Sequence, residues 1–200
     1  MSLTLAQHKQ AEHAAAANRT VLGFWIYLMT DCVLFATLFA TYAVMRGNTN
    51  GGPGGASLFD MPYVLVETMI LLLSSFTCGL AMIMLARHRK QMVIVWLIVT
   101  GLLGMVFIAM ELHEFTALAN EGHSWTQSGF LSSYFTLVGT HGLHILVGLL
   151  WLITLVVQIA RKGLGGNTVK RLTLFSMFWH FLDLIWIFIF SIVYLWSNWV

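Results

Sequence analysis

The stretch that decides the fold is Met92–Met110, MVIVWLIVTGLLGMVFIAM, which holds neither a charged residue nor a proline. As a helix it rises about 28 Å, close to the ~30 Å thickness of a bilayer hydrocarbon core. The run is continuously apolar rather than alternating, which rules against a barrel strand. In lipid its backbone groups must pair within the segment, so the stretch is helical. Working outward, four further runs have the same character. The expected spans are 22–45, 61–86, 92–115, 129–159 and 172–196. The fold class is therefore all-α, a polytopic membrane protein built as a five-transmembrane-helix bundle. Residues 1–21 are expected to be a cytoplasmic N-terminal segment, and 22–200 the membrane domain.

Composition agrees. Apolar residues make up 58% of the 200 residues and charged residues 9%, against about 25% charged in a soluble domain. The net charge of +2 comes from loop lysines and arginines, so nucleic acid is not an expected partner. Cys32 and Cys78 fall inside apolar runs and read as small core residues rather than a disulfide or zinc framework. Pro53 lies in the loop Gly51-Gly52-Pro53-Gly54-Gly55. Pro62 is placed in the first turn of a span, where no helical N–H is lost. The first residues lack the basic-then-apolar order of a secretory signal.

The loops give an orientation. Lys9, Arg19, Arg87, Arg89, Lys90, Arg161, Lys162, Lys170 and Arg171 fall on one side and only Arg46 on the other. By the positive-inside rule the N-terminus is cytoplasmic and the C-terminus outside, with Trp196 and Trp199 as interfacial anchors. Gly101, Gly104, Gly139, Gly142 and Gly148 are the expected points of close helix approach.

Ionisable residues inside the spans are costly, and each is a candidate for function or for interhelical hydrogen bonding. They are Asp31, Glu67, Glu111, His141, His144, His180 and Asp183, with His113 and Glu114 near a boundary. Counting helix rise from the cytoplasmic ends places Asp31 and His180 about 12–14 Å in, Asp183 at roughly 17 Å, and Glu67, Glu111 and His141 near 27–28 Å. His180 and Asp183 share a helix face at i, i+3. No lysine or arginine lies within these spans. The acids must then keep a proton, pair with histidine, or pair with a lipid headgroup, a cation or a residue of another subunit.

Several chemistries are absent from the pattern. There is no nucleophile elbow, no phosphate-binding glycine loop and no His-Glu-x-x-His zinc motif. Glu111-Leu112-His113-Glu114 does not have the Glu-x-x-His order of a di-metal carboxylate site. His141 and His144 lie on one helix face and cannot be opposite axial ligands of one haem. His144 and His180 differ by about 10 Å in depth, which disfavours a haem between them. An ion-coupled transporter would use buried acids. Internal repeats and Gly/Pro-broken spans, the usual pointers to a transporter site, are not evident here.

Four motifs carry a resemblance: residues 23–31 (GFWIYLMTD), Val64–Thr68 (VLVET), Gly139–His144 (GTHGLH) and Phe178–Asp183 (FWHFLD) followed by Trp186. In this order and spacing the chain resembles subunit III of the haem–copper terminal oxidases, closest to that of the cytochrome bo-type ubiquinol oxidases. The resemblance implies a subunit without catalytic, cofactor-binding or metal-binding residues of its own. It implies packing against a large catalytic subunit that carries two haems and copper and is fed by ubiquinol, alongside other oxidase subunits, in a bacterial inner membrane. It further implies a helix cleft holding phospholipid, with Asp31 at the family's membrane-buried carboxylate. Asp31, His180 and Asp183 are then expected to line that cleft, and Glu67, Glu111 and His141 to form an outer polar layer. The five-helix form favours the quinol branch, with a cytochrome c oxidase subunit III as the alternative.

Overall fold

A computed structural model describes the backbone of residues 2–51, 58 and 60–196, and side chains from residue 19 onward. The Pro53 loop and Trp199 lie outside the described residues. Five helices have the length and apolarity to cross a membrane, and no strand occurs among the described residues. They are α1 (Ser2–Met45), α2 (Met61–Ala86), α3 (Lys90–Asn120), α4 (Gly129–Lys162) and α5 (Gly166–Ile189), the last continuing into a π-helix, Phe190–Leu195.

The expected spans correspond one to one with these helices, and α2 coincides with its expectation. The others extend beyond the apolar runs because polar flanks continue the same hydrogen-bond ladder. In α1 the Ala-rich segment before Arg19 is helical as well, consistent with alanine's high helix propensity. Local signals set several ends. Pro62 occupies the first turn of α2, where its missing N–H costs nothing. Ser128 caps α4 by accepting from the Leu131 N–H at 3.2 Å. Arg161 and Lys162 sit in the last turn of α4, favourable at a helix C-terminus, and Gly163 ends it at φ +73°.

The chain forms two compact units, 1–34 and 35–200. The first is the N-terminal part of α1. In it Asp31 is buried and accepts a hydrogen bond from Tyr27, one turn earlier.

In the second unit α2 packs on α3, α3 on α4, α4 on α5, and α5 back on α2. This closes a ring of four helices around a core of large side chains, Phe107, Tyr134, Trp179, Trp186 and Tyr194 among them. Small residues set the spacing, as expected where helices associate without a hydrophobic driving force. A Cβ on Gly104 would stand 3.0 Å from the Trp179 ring and one on Gly148 2.9 Å from it. Trp179 thus fills a slot between glycines of α3 and α4. At Gly101 the neighbour is Leu152, at 3.2 Å. Gly139 is looser than expected, with only the Phe115 ring nearby at 3.7 Å.

Two indoles tie α5 to α2 through hydroxyls. Trp179 Nε1 donates to Ser74 Oγ and Trp186 Nε1 to Thr68 Oγ1, both at 3.1 Å. Ser74 Oγ in turn donates to the Thr100 carbonyl of α3 at 3.1 Å, and the Thr77 and Thr100 hydroxyls meet at 2.9 Å.

Candidate functional sites in the bundle

Three of the predicted polar residues converge at one end of the four-helix ring. Glu67 belongs to the buried stripe Val64, Glu67, Thr68, Leu71 of α2, and Glu111 to the stripe Gly104, Phe107, Glu111 of α3. Helical periodicity therefore turns both carboxylates inward, at positions where neighbouring turns place apolar or small residues. His141 on α4 is likewise fully buried. Its ring lies 5.2 Å from that of Trp186 in tilted stacking and edge-on to Phe107 at 6.1 Å.

The Glu111 carboxylate occupies the space left open by Gly142. A Cβ there would come within 2.5 and 2.6 Å of its two oxygens. Both oxygens of Glu67, Glu111 Oε2 and both His141 nitrogens are buried without a hydrogen-bond partner among the described residues. Each such atom costs about 1–3 kcal/mol of desolvation. The layer therefore lowers the stability of the chain taken alone, a pattern typical of functional rather than purely structural polar groups.

A tyrosine pair completes the layer, and the residue pattern gave no sign of it. Tyr194 donates to Glu114 Oε2 at 3.0 Å, and the Tyr134 and Tyr194 hydroxyls are 3.0 Å apart. Either hydroxyl can donate to the other, and Tyr134 also lies within hydrogen-bond reach of the Glu114 carboxylate. Glu67 lies within electrostatic reach of both Glu114 and Glu111. Glu114 also lines a cavity of about 210 Å³ at the helix ends, together with Asp60, Tyr63, His113 and Glu121. The Tyr63 hydroxyl bridges α2 to α3 by donating to the Met110 carbonyl at 3.0 Å. No group of three His, Cys, Asp or Glu residues among those described is arranged to hold a metal ion.

The remaining predicted residues lie elsewhere. His144 is half-buried, its Nδ1 bonded to the Thr140 carbonyl at 2.7 Å and its ring 5.3 Å from Phe35. The sharing of a face by His141 and His144 is visible in their common neighbour, Phe35. His180 is exposed on the outer surface of α5 and Asp183 half-buried beside it.

Residues 4–198 match the cytochrome c oxidase subunit III family. The chain belongs to that family. It is 55% identical over 92% of its length to the cytochrome bo(3) ubiquinol oxidase subunit 3 of Pseudomonas aeruginosa, covering 87% of that protein. To the Pseudomonas putida protein of the same name it is 52% identical over 90% of its length, again covering 87% of the relative. The cytochrome c oxidase subunit 3 of Bacillus sp. (strain PS3) is 44% identical over 87% of the chain and 84% of the relative. As an oxidase subunit III and a multi-pass membrane protein, the chain has other oxidase subunits as its partners.

Proposed function

We propose that the chain is the non-catalytic subunit III of a proton-pumping ubiquinol:oxygen oxidoreductase of the aerobic respiratory chain, in a bacterial inner membrane. In this reading it braces the large catalytic subunit, where two haems and copper reduce oxygen, and holds phospholipid against its helices. Asp31, buried in a span without a lysine or arginine of its own, is the residue assigned to lipid retention. The observation that carries the reading is the identity of 55% and 52% to relatives named as ubiquinol oxidase subunits, over nine-tenths of the chain. The 44% identity to a cytochrome c oxidase subunit 3 supports a second reading, in which the donor is cytochrome c.

One purification tests these together. A tag on this chain, used in mild detergent, should bring down a haem-containing large subunit that oxidises ubiquinol and ignores reduced cytochrome c. In the same preparation Asp31→Ala should carry less lipid phosphorus per haem. A colourless chain recovered alone would overturn the subunit reading. Oxidation of cytochrome c instead of quinol would move the chain to the second.

A further inference from the structure

Beyond the buried layer, a polar group faces outward where the membrane is most apolar. His180 lies nine residues past Arg171 on α5, about 14 Å of helix rise, which is near the middle of a ~30 Å hydrocarbon core. It is exposed, and with Ser75, Phe76, Gly79 and Ile83 it lines an open groove of about 380 Å³ between α2 and α5. Ser75 is only 5% exposed, and its Oγ has no hydrogen-bond partner. Asp183, one turn beyond His180, lies beside Ser75 and within electrostatic reach of His180, and its Oδ1 is buried with no hydrogen-bond partner among the described residues.

The hydrogen bonding on His180 fixes what the groove presents. Its Nδ1 lies 2.7 Å from the Ser176 carbonyl, which can only accept, so Nδ1 carries the proton. In the neutral ring Nε2 is then a free acceptor. The face thus offers an acceptor at His180 Nε2, backed by the Asp183 carboxylate and the Ser75 hydroxyl, with no lysine or arginine at this depth on the chain to answer it. Around them stand exposed apolar side chains, Leu73, Phe76, Ile83, Leu184 and Ile187. Polar side chains left against lipid tails at mid-membrane are expensive, and they normally meet a polar partner on another helix. A phospholipid headgroup cannot supply it, because headgroups sit about half a bilayer thickness away.

We infer that the α2–α5 face around Ser75, His180 and Asp183 is a docking surface for a transmembrane helix of another subunit that presents a hydrogen-bond donor, amide, hydroxyl or cationic, at mid-membrane depth. The complementarity is one of polarity and of shape: an outward-facing acceptor at His180 Nε2 with no lysine or arginine at its depth, set in a groove between two helices and rimmed by apolar side chains. This rests on the proposal that the chain works inside a larger oxidase, and it reassigns His180 and Asp183 from the lipid cleft expected of them to a protein contact.

The test is photocrosslinking in the intact, tag-purified complex, with p-benzoylphenylalanine at position 76 or 83 and the adducts mapped by mass spectrometry. The expected product joins this chain to a transmembrane segment of another subunit. His180→Leu should cut its yield severalfold, while His180→Gln, which keeps an acceptor, should preserve most of it. Adducts only to phospholipid or quinone, or no adduct from either position, would overturn the inference even where the other subunits co-purify. A chain that purifies with no partner would instead overturn the proposed function itself.

Discussion

Glu111 and Gly142 form the tightest side-chain fit in the buried layer, and each explains the other. A carboxylate in the core stripe of α3 needs room that only a glycine on α4 leaves. Gly142→Ala would drive a methyl group into the Glu111 oxygens, and overpacking of this kind costs about 1–3 kcal/mol. The decisive measurement is a double-mutant cycle on the thermal stability of the purified complex. Glu111→Ala removes the obstacle, so Gly142→Ala in that background should cost less than half of what it costs alone, since contacting residues are not additive. Equal costs in the two backgrounds would mean that the carboxylate does not occupy the gap.

At the scale of elements, the end of α5 is where sequence reading and structure part. Apolar run length predicts an unbroken helix to Trp196, but the last six residues before it, Phe190–Leu195, are π-helical. The wider turn rotates Tyr194 into the bundle, where its hydroxyl meets Glu114 and Tyr134. The same segment offers the Val193 carbonyl to the buried Tyr42 hydroxyl at 3.3 Å. Tyr194→Phe should therefore destabilise by about 0.5–1.5 kcal/mol, the net contribution of one hydrogen bond, and lower the Tm of the complex. Five spans, the inward turn of Glu67 and Glu111, and four of the five close-approach glycines follow from period and composition alone. The tyrosine pair and the π-turn do not, because helix register at a terminus is settled by partners on other helices. The outward aim of His180 was equally hidden: i, i+3 spacing puts it on a face with Asp183 without saying which way that face looks.

For the whole molecule, charge is sorted by the ends of the bundle. Arg87 and Arg89 in the α2–α3 turn, Lys90 at the start of α3, Arg161 and Lys162 at the end of α4, and Lys170 and Arg171 in the first turns of α5 lie at one end. The opposite end gathers Asp60, Glu114 and Glu121 around a cavity. Such sorting orients a membrane protein during insertion, because cytoplasmic loops retain lysine and arginine. The basic end should accordingly be cytoplasmic and the acidic cavity should open outside. Cysteine accessibility in spheroplasts checks this, using a chain with Cys32 and Cys78 replaced by alanine. His123→Cys, in the α3–α4 connection, should react with a membrane-impermeant maleimide from outside. His88→Cys, in the α2–α3 turn, should react only after permeabilisation, and the reverse pattern would refute the assignment. Neutralising Arg87, Arg89 and Lys90 together should leave the pattern unchanged, because six basic residues against one still bias the same side. The orientation is thus a property of the summed charge and not of any one loop, which is why it should survive a substitution that empties an entire turn of positive charge.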